Sequence, residues 1–345
     1  MSPQFVDFDA DGHLDIVAGI FDGSPHVAFG TAQGWKQPVP IVDRDGARIV
    51  MNDFWNFDTK KWDTTTRCDP PNEKVVTGLL TSAWAADWDG DGDFDLLLGD
   101  HKGGQVMLRR NEGTKGTPAF ATTNTVVHAD GKPLIVPGTV TTPRLVDWNG
   151  DGRLDLLVGS MGDAYGTSAG GAVFVYANTG TNAAPAFGQP SVLVAASAKG
   201  ASEPTRPDSG LYMDLADHDG DGDLDLLVGG YSLWSPPARE LSAEETERAR
   251  QVRLELGELN KQLAALSKVI VEATKGLDAE AVIPKRTEIL RAQAPERTAL
   301  GKKQAPLQAE LDTLVPGPKR VSYVWLYENH TKSAAPAAPG SGGGK

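Results

Sequence analysis

The chain has 345 residues, with 46 Asp and Glu against 33 Lys and Arg and a formal net charge of −13. No basic stripe is left for phosphate backbones or anionic headgroups, which excludes nucleic acid and an anionic membrane surface as partners. No apolar stretch approaches a membrane span, and the single Cys68 has no partner for an intrachain disulfide, so it reads as an inert side chain.

In chain order, a first strand is predicted from about Pro3, and it runs at once into Asp7-Phe-Asp9-Ala-Asp11-Gly12-His13-Leu-Asp15, followed by a short apolar run ending at Gly19. The same pattern returns at Asp87 (DWDGDGDFDLLLG), Asp147 (DWNGDGRLDLLVG) and Asp217 (DHDGDGDLDLLVG), the starts being 80, 60 and 70 residues apart. One D-x-[DN]-x-D-G-x-x-D loop is therefore used four times, each time between two strands.

That spacing suits calcium. A hard cation of this size takes roughly six to eight oxygens at about 2.3–2.6 Å, and a tight loop with carboxylates at alternate positions converges them on one point. The predicted side-chain ligands are Asp7, Asp9, Asp11 and Asp15; Asp87, Asp89, Asp91 and Asp95; Asp147, Asn149, Asp151 and Asp155; and Asp217, Asp219, Asp221 and Asp225. The seventh position, His13, Asp93, Arg153 or Asp223, would add its backbone carbonyl. Glycine at the sixth position permits the turn. Four carboxylates this close repel one another unless a cation neutralises them, and four such ions would bring the charge of −13 to about −5. An EF-hand needs an acidic residue at loop position 12 and flanking helices; here Ala18, Leu98, Val158 and Val228 stand there, inside apolar runs that read as buried strands.

Repetition continues past the loops. After Gly99 come an alternating strand, Asn111-Glu-Gly-Thr114 and Pro118-Ala-Phe120; after Gly159 come another such strand, Asn178-Thr-Gly-Thr181 and Pro185-Ala-Phe187. Each unit thus holds three or four short strands, a period suited to radial repetition and too long for a leucine-rich or β-helical coil. The expected fold is all-β: a β-propeller with four recognisable calcium-loop blades. These loops and the strands after them resemble FG-GAP/VCBS repeats, the blades of integrin alpha-subunit propellers and of many bacterial secreted proteins. The resemblance covers about residues 3–235 and 319–331, and it implies calcium binding and an interaction role.

Between the first two units, Asn52-Asp-Phe-Trp-Asn-Phe-Asp-Thr-Lys-Lys-Trp62 is predicted as a loop with four aromatics among polar residues. Trp55 and Trp62 are candidate contacts to a sugar ring, since an aromatic face beside Asp and Asn is how such rings are held; packing between blades would use the same residues. Trp88 and Trp148, at loop position two, are assigned to packing between blades.

From about Leu241 to Leu314 the β pattern gives way to helix formers. Ser242-Ala-Glu-Glu245 is a capping box, and Val252, Leu256, Leu259, Leu263, Leu266, Ile270 and Ala273 follow at alternating steps of 4 and 3. We expect a coiled-coil hairpin over 238–318 inserted in the last blade, with 1–237 and 319–331 forming the propeller and 332–345 a flexible tail. Pro284, Pro295 and Pro306 predict a kinked or broken return arm. The first arm would project on the order of 50 Å.

Catalysis finds no H-E-x-x-H or P-loop, and the six histidines are scattered. The sequence is best read as a non-catalytic calcium-binding propeller, an extracellular, periplasmic or cell-surface module for protein interaction or assembly. Met1-Ser-Pro-Gln-Phe5 shows no charged n-region or apolar h-region, and the N-terminus is read as trimmed, miscalled or engineered. The partner would be another protein or a surface component, engaged through the helical hairpin or the propeller. The alternatives are a polysaccharide-acting, lyase-like enzyme and a carbohydrate-binding lectin.

Overall fold

The computed structural model describes residues 3–162, 170–197, 205–234, 236, 237, 239–277, 279–317 and 319–330. The proposed tail at 332–345 lies outside them. The chain forms two compact units, Met1–Leu233 with the chain from Arg320 onward, and Trp234–Lys319.

The first unit is a series of separate antiparallel sheets, each strand pairing with its sequence neighbour. The first sheet contains Gln4–Val6, Asp15–Gly19, Pro25–Ala28 and Val39–Pro40; the second Leu80–Ala86, Asp95–Asp100, Val106–Arg109 and Thr125–Val126. The third contains Thr142–Val146, Asp155–Gly159, Val173–Tyr176 and Ser191–Val194; the fourth Ser209–Ala216, Asp225–Trp234 and Lys319–Tyr327. The 52–62 segment departs from the predicted loop: Asp53–Asn56 pairs with Lys61–Thr64 in a hairpin. Its turn is made by Asn56, whose Oδ1 accepts the backbone N–H groups of Asp58 and Thr59, and by Lys60 at φ 53°.

Strand alternation sends side chains to both faces of each sheet, and the apolar runs after the loops are buried on both. Leu96 and Leu98 enter the core shared with the first sheet, while Leu97 enters the core shared with the third. Leu156 and Val158 likewise face the second sheet and Leu157 the fourth. Phe8 stacks with Phe94 and Phe120, and Trp88 meets Phe187 edge-on at 5.8 Å, so the aromatic at loop position two packs on the next sheet. The glycine closing each apolar run has a steric reason. A Cβ on Gly19 would overlap the backbone of Thr81 and Ser82, one on Gly99 the carbonyl of Thr141, and one on Gly159 the carbonyl of Leu211, each on or immediately before the first strand of the following sheet.

The Asn-x-Gly-Thr turns are tied to the Pro-x-Phe segments by one amide. Asn111 Oδ1 accepts N–H groups from Gly113 and Ala119 at 3.0 and 2.8 Å, and Asn178 Oδ1 accepts from Gly180 and Ala186 at 2.9 and 3.1 Å. Phe120 and Phe187 are thereby held in the inter-sheet cores.

The second unit is a pair of helices, α1 (Ala243–Thr274) and α2 (Ala279–Leu314). The Ser242–Glu245 capping box is formed. The helices run antiparallel: Arg248 grips Glu310 through two bonds of 2.6 and 2.8 Å, Gln304 donates to Asn260 and Gln293 donates to the Leu266 carbonyl. Ala249, Val252, Leu256, Leu259 and Leu300 are buried along the seam, while Leu263, Leu266 and Ile270 are only half-buried. The prolines do not break α2. Eleven residues are about three turns of helix, so Pro284, Pro295 and Pro306 fall in one stripe. All three are exposed, which leaves the carbonyls they cannot serve facing water.

Candidate metal loops

Each Asp loop bridges the first two strands of its sheet and is held by the same bonds. The first Asp accepts the N–H of the glycine five residues on: Gly12 to Asp7 (3.2 Å), Gly92 to Asp87 (3.1 Å), Gly152 to Asp147 (3.0 Å) and Gly222 to Asp217 (3.2 Å). Inside that arch, short turns close on alternate side chains, as in Arg153 to Asp151 (2.9 Å) and Asp223 to Asp221 (3.0 Å). Glycine at position six sits at φ 85 to 94° in all four loops. A Cβ on Gly12, Gly92, Gly152 or Gly222 would meet nothing within 4 Å, so backbone conformation and not space selects the residue. Position four is left-handed too, at Ala10 (φ 61°), Gly90, Gly150 and Gly220.

The last Asp of each loop locks it to the chain two residues past the end of the third strand. Its Oδ1 accepts the N–H of Gly30 (2.6 Å), Asn111 (2.6 Å), Asn178 (2.7 Å) or Asn329 (2.9 Å). Asp15, Asp95, Asp155 and Asp225 are all buried. Oδ2 of Asp15 and of Asp225 also accepts the N–H of loop position two, from Phe8 and His218, at 2.8 Å.

In three loops carboxylate oxygens gather within 4.8 Å of one another: Asp7, Asp9 and Asp15; Asp87, Asp89 and Asp91; Asp217, Asp219 and Asp225. In the third loop Asn149 stands where the others carry an acid, and Asp151 is paired with Arg153. Asp11 stands outside the first cluster, accepting from the His13 N–H at 2.8 Å and lying 3.2 Å from its Nδ1. Crowding shows in the protonation equilibria. Burial, with Asp15 and Asp11 beside it, raises the Asp9 carboxyl; burial, with Asp91 and Asp87, raises Asp93; and burial pushes Asp95 up to about 6.

Asp7 Oδ1 and Asp89 Oδ1 are buried without a hydrogen-bond partner. A buried carboxylate oxygen with no donor is costly, and a hard cation drawing on the same oxygens would satisfy it. The donor set, all oxygen and mostly anionic, fits calcium in kind. The sequence reading missed Arg110, which ion-pairs with Asp89 and lies 3.6 Å from Asp95. It reaches the second loop from the end of a strand, and its counterparts in the first and third sheets are Phe29 and Ala177.

Trp55 and Trp62 face each other across the hairpin, ring centroids 5.7 Å apart, with Phe21 edge-on to Trp62 at 5.9 Å and to His101 at 5.3 Å. Trp62 is 48% exposed and Phe21 53%. Among the described residues, no helix is long and apolar enough to cross a membrane.

A family profile described as FG-GAP-like repeat matches residues 87–158 and again 147–228, each match beginning on the first Asp of a loop. No curated protein and no solved structure matches the chain.

Proposed function

Because the chain carries FG-GAP-like repeats across residues 87–228, we propose that it is a calcium-binding β-propeller that serves, outside the cytosol, as a non-catalytic module for protein interaction or assembly. The observation that carries this is the fourfold Asp loop, whose last Asp accepts the backbone N–H just past the third strand of its sheet, with Asp7 Oδ1 and Asp89 Oδ1 buried and without donors in the first two loops. In this reading Asp7, Asp9 and Asp15, and their equivalents in the other loops, hold calcium. The ion supplies positive charge that lets the loop close. Millimolar calcium outside cells would keep sites of modest affinity filled. The helical unit is the second interaction element, presented from within the last blade.

The test compares the intact protein with a variant in which residues 238–318 are replaced by a short turn, using pull-down from the native source and thermal melting. The expected result is loss of a captured protein with little change in melting. Identical capture by both forms would remove the helical unit from the proposal.

One observation favours a second reading, a carbohydrate contact: the exposed Trp62 and Phe21 faces on the hairpin. A glycan array followed by a turnover assay separates a lectin from a lyase. Binding or turnover lost on Trp62→Ala would support this second reading.

A further inference from the structure

The second and fourth loops carry the same five acids, Asp87, Asp89, Asp91, Asp93 and Asp95 in one and Asp217, Asp219, Asp221, Asp223 and Asp225 in the other. Their neighbours differ in charge. One residue before the asparagine whose N–H meets the last Asp, the second unit has Arg110 and the fourth has Glu328. The Arg110 guanidinium turns into its loop, Nη2 pairing with Asp89 and Nη1 lying 3.6 Å from Asp95 Oδ2. Glu328 is exposed and lies 3.8 Å from His330.

A guanidinium neutralises crowded acids but does not replace a metal ion. It is always charged, and its donors lie in one planar fork, whereas a cation of calcium's size draws oxygens from all round one point. The shortfall is visible in the second loop. Asp89 Oδ1 and Asp95 Oδ2 are buried with no hydrogen-bond partner, and Asp95 is only 2% exposed; 3.6 Å is too long for Nη1 to serve that oxygen. The gathered oxygens differ as well. In the first and fourth loops the set within 4.8 Å includes the last Asp, Asp15 or Asp225, but in the second it is Asp91 that joins Asp87 and Asp89. The third loop pairs Asp151 with Arg153, yet with Asn149 it has one acid fewer to neutralise.

We propose that Arg110 is a built-in counter-ion of the second loop: it holds the loop closed without calcium, must leave Asp89 and Asp95 for the ion to enter, and so makes this loop a weaker calcium site than the fourth. Two cations compete for the same carboxylates, and the coupling is reciprocal: whatever Arg110 adds to the empty loop is subtracted from calcium binding. Glu112, exposed two residues further on and ion-paired with Arg44, offers the displaced guanidinium another carboxylate. The second loop is then the one that fills and empties as calcium changes, while the fourth, with Glu328 beside it, stays filled. The inference rests on the calcium reading of the loops.

The test is calcium titration of the chelator-stripped intact protein by isothermal calorimetry, with melting in chelator and in excess calcium. Arg110→Gln should tighten one binding step about tenfold, the scale set by a unit charge a few ångströms from a divalent ion in a largely aqueous setting, and leave the other steps unchanged. It should also melt lower than wild type in chelator and no lower in calcium, where the ion takes over the charge. Adding Asp87→Asn should abolish the tightened step, and Arg110→Lys, which keeps the charge, should not tighten it. Glu328→Arg, at an exposed position, should weaken one step about tenfold by the same charge argument, and it serves if Arg110→Gln does not fold. A merely structural Arg110 would lower melting in both conditions and tighten nothing. Binding steps unchanged or weakened by Arg110→Gln, or a tightened step that survives Asp87→Asn, would overturn the inference alone and leave the calcium reading standing. A wild-type protein that binds no calcium would overturn that reading and this inference with it.

Discussion

Asp15→Ala should unfasten the first sheet even when no calcium is present. Asp15 is fully buried, and its two oxygens accept backbone N–H groups from Gly30 at 2.6 Å, Phe8 at 2.8 Å and Asp9 at 3.3 Å. Removing the carboxylate strands the two shorter donors in a buried setting, and bonds to a charged acceptor are worth about 1.5–3 kcal/mol each. The loss is therefore at least about 3 kcal/mol, or roughly 6–12 °C at about 2–4 °C per kcal/mol for a unit of this size. Melting followed by circular dichroism in excess chelator isolates this term, and repeating it in excess calcium adds the loss of a ligand. Asp15→Asn retains one acceptor oxygen and should lose about half as much. A melting temperature for Asp15→Ala within error of wild type in chelator would refute the idea that this carboxylate ties the loop to two strands.

Gly99→Ala should destabilise by about 1–3 kcal/mol or more in urea unfolding, because the overlap is with backbone of the next sheet, whereas Gly229→Ala should leave the fold's stability within about 0.5 kcal/mol of wild type. In chelator, Asp95 binds its proton more tightly folded than unfolded, since burial raises it to about 6. That contribution makes stability fall as pH rises from about 4 to 6 and level off above, by at most about 2 kcal/mol after screening; urea midpoints across that range, with and without calcium, should show the slope only without the ion. Pro295→Ala should slow amide hydrogen exchange across the middle of α2, because it restores an N–H to an exposed turn and removes a penalty of up to about 3 kcal/mol.

The loops were legible because their information is local. Ligand spacing, the glycine at position six and the apolar run after it all lie within thirteen consecutive residues, and repetition at Asp7, Asp87, Asp147 and Asp217 multiplied the signal. What escaped was set at a distance. Arg110 enters the second loop from the neighbouring strand, and only the fold brings it to Asp89. The left-handed turn at position four was visible as glycine in three loops and masked by Ala10 in the first. The hairpin at 53–64 reads as a loop in sequence because its strands are only four residues long, with Trp55 and Trp62 on either side of its turn. The prolines of α2 predict a break only when each is taken alone. Their eleven-residue spacing, matched by Gln293 and Gln304, keeps them off the face that pairs with α1.

The most direct test of the account is a calcium titration of chelator-stripped protein by isothermal calorimetry, with melting measured on the same samples. About four ions per chain, bound with a rise in melting temperature that grows with calcium as mass action requires, is the predicted result. No binding above background and an unchanged melting temperature would contradict it.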